Sequence, residues 1–338
     1  MWRKNGVWAV LAVLLAMAVV LALLVGPYPV ALSQVVASLR AHMLPGAMPA
    51  DTLGAATDTV IWNLRVPRML AALLAGAALA SAGAAYQAMF RNPLVSPDIL
   101  GVSAGAGLGA VLSFFVGLPA LAVQASAFVC GLLAVAVVYM AAGLVRRHDP
   151  VLVLVLAGVA LSAFLGACIS LLKILADPYA QLPTITFWLL GGLNAVSYHD
   201  LVYAVPLCTL GLLWLVLWRW RINVLSLSDE EARSLGMDTR QTRRWLIVAA
   251  TLMTASVVSF AGVIGWVGLV IPHMARLLVG PVFARLLPAS LLLGGAFMLF
   301  VDTLARSIST IELPLGVLTA IVGAPFFLFL LIKSGRQE

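Results

Sequence analysis

The chain has 338 residues, 63% of them hydrophobic and only 10% charged, and its mean hydropathy is +1.10. A soluble domain carries about 25% charged residues, so composition excludes an ordinary globular protein and points to one that crosses a membrane many times. The net charge of +7 comes from basic residues beside apolar runs, with no patch of their own, which argues against a nucleic-acid partner.

A run of about 20 apolar residues can span a bilayer. Ten candidates follow in order: Val7–Val25, Met69–Met89, Ile99–Val116, Leu121–Leu144, Val151–Leu172, Leu201–Leu217, Trp245–Ala261, Val263–Leu278, Leu286–Val301 and Leu315–Ile332. Arg3 and Lys4 precede the first run as they would a signal peptide, but no small-residue cleavage site follows, so it reads as a span. The third, eighth and ninth are short or interrupted, the eighth by Pro272 and His273. Between the fifth and sixth lies the apolar piece Thr184–Leu193, too short to cross, which predicts an outer-face helix dipping partway in.

Of the 20 Lys and Arg residues, Arg40, Arg65, Arg68, Lys173 and Arg306 fall outside if the N-terminus is inside. The other 15 fall inside, as the cytoplasmic bias of basic residues requires. The predicted fold is all-α: a single transmembrane domain over 1–338, ten transmembrane helices, both termini cytoplasmic. Gly76, Ser81 and Gly83 in the second span, and Gly101, Gly105 and Gly109 in the third, place small residues where helices pack closely. Cys130, Cys168 and Cys208 lie far apart inside apolar runs and read as small core residues.

The sixth and seventh spans are joined by the one stretch with three successive acids. Ser228, Asp229, Glu230, Glu231, Ala232, Arg233, Ser234, Leu235, Gly236 and Met237 begin with a capping box, Ser228 with Glu231, and carry acids at the positive end of a helix dipole. Gly236 supplies a stop. This predicts a capped helix of about two turns, outside the membrane on the cytoplasmic side. Trp218, Arg219, Trp220 and Arg221 flank it on one side, Arg243, Arg244 and Trp245 on the other.

Motifs for chemistry are sparse. Gly101-Val102-Ser103-Ala104-Gly105 matches the G-x-S-x-G string of serine hydrolases, but it opens an apolar helix rather than a strand–turn–helix. An intramembrane serine protease is thus one alternative, with helix packing the plainer role for Ser103. There is no phosphate loop of the form G-x-x-x-x-G-K-[ST] and no H-E-x-x-H, and the four histidines show no metal-ligand spacing. An ion-coupled carrier, the second alternative, needs charges in mid-span, each costing about 2.5–3.5 kcal/mol there. Lys173, Asp302 and Arg306 instead lie at span ends, so energy must arrive from outside the bilayer.

Arg65–Gly109, Leu154–Ser162, Leu227–Met237, Val267–Gly280 and Glu312–Leu331 together resemble the ten-span permeases of type II ABC importers for cobalamin, haem and ferric siderophores. The resemblance implies a homodimer in the bilayer, two cytoplasmic ATPase subunits that bind the ATP, and a periplasmic substrate-binding protein; this chain would hold no cofactor or metal. It implies that Ser228–Met237 is the ATPase-coupling helix and that Arg65, Arg68 and Arg306 dock the binding protein. It also places a cytoplasmic gate at Pro150, Val151 and Leu152. An iron chelate is the expected cargo, with cobalamin or molybdate as alternatives. Where the family often shows Gly-x-Asp-His-Arg before Leu-Leu-Pro, this chain has Gly280-Pro281-Val282-Phe283-Ala284-Arg285, so a polar contact there is in doubt.

Overall fold

The computed structural model describes residues 2–43, 55–145, 150–309 and 311–334, and among them the regular elements are helical and none is a strand. In chain order they are α1 (Trp2–Leu24), α2 (Leu32–Met43), α3 (Ala55–Thr59), α4 (Val66–Met89), α5 (Val102–Val116), α6 (Ala120–Leu144) and α7 (Pro150–Leu175). After these come α8 (Gln181–Leu189), α9 (Tyr198–Leu217), α10 (Arg219–Val224), α11 (Asp229–Ser234), α12 (Thr239–Ala261), α13 (Val267–Val279), α14 (Phe283–Ala305) and α15 (Leu315–Ser334).

Seven helices are long and apolar enough to cross a membrane, and three shorter apolar stretches, Val102–Val116, Val267–Val279 and Leu315–Phe329, stand where the third, eighth and tenth spans are expected. The ninth is not short. α14 runs 23 residues because Pro288 falls early in the helix, where its missing N–H leaves only a first-turn carbonyl unpaired. The third span starts later than its apolar run does. Pro97–Leu100 form a 3-10 turn and Gly101 takes φ +80°, so α5 begins only at Val102. The eighth is trimmed likewise, by Gly262 at φ +66° and Trp266 at φ +70°.

α4 is the axis of the bundle: 78% of its span is buried, against 17% for α7. Its alanines and glycines let neighbouring backbones touch it. A Cβ on Gly76 would lie 2.0 Å from the Gly294 carbonyl oxygen of α14, and one on Gly294 would lie 2.3 Å from that of Gly76. Gly83 meets α13 in the same way, 1.8 Å from the Gly268 oxygen. Gly105 and Gly109 do this between α5 and α6, against the Cys130 and Ser126 carbonyls. Gly101 does not belong with that stripe, since its positive φ is a turn requirement.

The residues 60–65 between α3 and α4 form a π-helical turn, and two of the helices it leads from were not expected. α2 and α3 are tied together by Ser38 donating to Asp58 at 2.6 Å and by His42 3.6 Å from the same carboxylate. At this end of the bundle α1 also terminates. Arg306 donates to the Ala22 carbonyl at 2.5 Å, and Arg65 donates to the carbonyls of Leu23 and Tyr28. Guanidinium groups from two other helices therefore close the end of α1, whose last carbonyls have no partner within the helix.

Candidate functional site

The opposite end of α4 carries α11. Its six residues, Asp229–Ser234, make a shorter helix than the two turns expected, but both caps form. The Ser228 hydroxyl accepts from the Glu231 N–H at 3.2 Å, and the Glu231 carboxylate accepts from the Ser228 N–H at 2.8 Å. At the other end Gly236, at φ +75°, donates to the Arg233 carbonyl and Met237 donates to that of Ala232. This is the Schellman closure, and the buried Ala232 and Met237 supply its apolar contact. Leu235 and Leu227 project outward, 56% and 38% exposed.

The helix is mounted through Asp229. Arg243 of α12 donates two hydrogen bonds to its carboxylate, at 2.6 and 2.9 Å, and Arg91 donates at 2.7 Å. Arg91 follows α4 and occupies a left-handed position (φ +50°) where glycine is usual. Its Nε donates to the Leu225 carbonyl at 2.7 Å, which explains an arginine in a conformation that costs about 1 kcal/mol or more. One carboxylate thus joins the ends of α4, α11 and α12. Asn223 adds a tie from α10 to α14, accepting from the Phe283 N–H at 3.1 Å. That backbone contact stands where the departure from the family pattern removed polar side chains.

The hydrogen bonds from Arg243 hold the Asp229 carboxyl below the ordinary aspartate range, with Arg91 adding to the effect and partial burial opposing it. A depressed carboxylate stabilises above its unfolded value, about 3.9, and the contribution is lost as pH falls through the folded value below that. The mount is therefore intact at neutral pH. Asp229→Asn should speed amide exchange of 232–237, relative to intrinsic rates, by roughly fivefold at pH 7, since exposed pairs contribute at most about 1 kcal/mol. Unchanged exchange would mean the caps alone position the helix.

The predicted arginines gather at the far end. Arg65 and Arg306 are only 5% and 6% exposed, pointing inward at the carbonyls of the α1 end. Arg68 donates to Asp302 at 2.9 Å and, through Nη1, to both oxygens of Glu312 at 2.9 Å. Asp302 is 1% exposed and also lies 3.6 Å from Arg306 Nε. Glu312 is 38% exposed, so of the three arginines Arg68 faces the surface through a solvent-accessible partner. Beside it opens a cavity of about 660 Å³ lined by Arg68, Gln124, Trp188, Asn194, Asp200 and Glu312, among others.

Pro150, Val151 and Leu152 open α7, with Leu152 51% exposed, while 146–149 of the same loop lie outside the described residues. Ser103 is not merely a packing residue, because its hydroxyl donates to Asp98 in the turn before α5. No histidine makes a contact with that pair among the described residues, so a Ser–His arrangement is not assembled there. Sequence reasoning missed Arg91, Arg243, Asp302 and Glu312 as parts of either constellation.

Residues 14–333 match the FecCD transport family. The molybdate import system permease of Haemophilus influenzae is 37% identical over 329 residues, covering 96% of this chain and 95% of that one. The cobalamin import system permease of Halobacterium salinarum is 42% identical over 277 residues, 81% of this chain and 73% of the relative. A solved metal-chelate type ABC transporter, in an inward-facing conformation, superposes with a TM-score of 0.85 at 35% identity, covering 97% of this chain and 99% of that one. With its apolar helices and a capped helix mounted at one end, the chain belongs to the FecCD transport family and is a multi-pass inner-membrane permease of a type II ABC importer.

Proposed function

We propose that this permease carries an iron chelate, a ferric siderophore or haem, from the periplasm to the cytoplasm. A Helicobacter pylori relative described as an iron chelatin transport permease is 43% identical over 275 residues. Cobalamin is the alternative that its Halobacterium salinarum relative favours, and molybdate the one favoured by its Haemophilus influenzae relative. The chain would work as a ten-span homodimer with both termini cytoplasmic, holding no cofactor itself, beneath a periplasmic binding protein and above two ATPase subunits that hydrolyse ATP.

The observation carrying the ATP-driven part of this reading is the three-way junction at Asp229. A helix seated in an ATPase groove by Leu227 and Leu235 would pass each closure, through Asp229, directly to the ends of α4 and α12. At the other end, Arg68 would exchange Glu312 for a carboxylate of the binding protein, with Arg65 and Arg306 holding that face from beneath. Val151 and Leu152 would make an apolar gate that closes by excluding water.

Reconstituted with its ATPase and binding protein, the permease should take up chelate into proteoliposomes only with ATP. A proton or sodium gradient alone should drive none. Uptake by the permease alone on a pH gradient would overturn the importer mechanism, and ATP-driven uptake of cobalamin without iron chelate would reassign the cargo.

A further inference from the structure

The α11 hairpin is flanked by a cluster that its mounting does not use. Trp214 and Trp218 of the α9 end stack with centroids 4.9 Å apart, and Trp245 of α12 packs on Trp214 at 5.1 Å. Two guanidinium groups sit on this three-ring cluster. Arg221 lies 4.5 Å above the Trp218 ring and Arg244 lies 5.8 Å from that of Trp245. Among the described residues neither arginine, nor the neighbouring Arg219, pairs with a carboxylate. The carboxylate of Asp229 is already taken by Arg91 and Arg243. One turn into the spans the same helices expose Leu210 and Val248, 57% and 49% accessible. The Trp214 indole N–H, within the cluster, has no hydrogen-bond partner among the described residues.

We propose that the junction of α9, α10 and α12 binds an anionic phospholipid, its phosphate on Arg221 and Arg244 and an acyl chain along Leu210 and Val248. Each layer of the site matches one layer of such a lipid. Exposed leucine and valine suit hydrocarbon, indoles suit the interface, and arginines suit the phosphate. Stacking on the rings holds the guanidinium groups in place, so less side-chain entropy is lost when phosphate binds them. A soluble partner is disfavoured, because covering Leu210 and Val248 would require it to enter the hydrocarbon. The lipid clamps the two helices that bracket α11, beside the junction through which ATPase closure would act. Assignment to the cytoplasmic leaflet rests on the orientation proposed above; the binding chemistry does not.

The test is native mass spectrometry of the full chain in detergent, titrated separately with phosphatidylglycerol, phosphatidylcholine and glycerol 3-phosphate. An arginine near an anionic surface contributes about fivefold, so phosphatidylglycerol should bind roughly thirtyfold tighter than phosphatidylcholine. Arg221→Gln with Arg244→Gln should erase that preference, while Arg40→Gln, at the other end of the bundle, should leave it intact. In the wild type the preference should shrink as salt is raised, which tests the site without any variant. Equal binding of the two lipids, or a preference that survives the double substitution, would overturn the proposal. Glycerol 3-phosphate binding as tightly as the lipid would overturn the lipid assignment in favour of a plain phosphate site. No ATP or cargo is involved, so failure of the importer reading would leave this measurement standing.

Discussion

Gly76→Leu should leave almost no folded protein in the membrane. The α4 and α14 backbones meet at Gly76 and Gly294, where even a methyl group would sit 2.0 Å from a carbonyl oxygen. Overpacking a core usually costs about 1–3 kcal/mol because side chains give way. Here the obstacle is backbone on both sides, and the two helices can accommodate it only by moving apart along their shared face. Those helices also carry Arg68 and Asp302, so separation would strip the ion pair as well. Gly76→Ala should already lower the melting temperature in detergent by many degrees. Gly143→Ala is the matched control, since a Cβ there meets nothing within 4 Å. A helical glycine changed to alanine in open space gains about 0.5–1 kcal/mol. The two substitutions should therefore move stability in opposite directions, and a tolerated Gly76→Leu would refute the close approach.

The second large effect belongs to Asp302. It is the anion shared by Arg68 and Arg306, so Asp302→Ala leaves two nearly buried guanidinium groups facing each other with Glu312 as their remaining counter-charge. Removing one partner of a buried ion pair costs about 3–5 kcal/mol. The expected result is a sharp fall in thermal stability and in the yield of folded permease. Adding Arg68→Met to Asp302→Ala should recover part of the loss, because one of the two uncompensated guanidinium groups is then gone. Arg306 is kept, since it also satisfies the Ala22 carbonyl. If the double substitution is worse than Asp302→Ala alone, the Arg68 charge is contributing something that volume cannot replace. The same geometry bears on any docking experiment. Arg306→Glu would place a second acid beside Asp302, and its effect on partner binding can be read only once folding has been checked.

The apolar runs and the caps of α11 were legible because each is set by neighbours in sequence. Ser228, Glu231 and Gly236 act within nine residues of one another, and their geometry follows from local rules. What the arginines do was not legible. Arg65, Arg68 and Arg306 stand at helix ends, as their positions along the chain require, but no local pattern tells which way a guanidinium points. Arg68 finds Asp302 and Glu312 across 234 and 244 residues, and only packing brings them together. Arg91 was hidden for another reason. A left-handed helix end normally announces itself with glycine, and here arginine holds that position through its bonds to Leu225 and Asp229. Gly101 misled in the opposite sense, sharing the four-residue spacing of Gly105 and Gly109 while serving a turn.

The closure of α1 by Arg65 and Arg306 has a consequence for how the protein is made. The carbonyls of Ala22 and Leu23 emerge from the ribosome early, but the guanidinium that satisfies Ala22 lies 284 residues later. In hydrocarbon an unsatisfied carbonyl costs several kcal/mol, so a nascent chain inserted only as far as α12 must keep the end of its first helix at the lipid–water boundary. The first helix can settle to its final depth only after the ninth predicted span has entered, making the earliest segment to insert one of the last to be fixed.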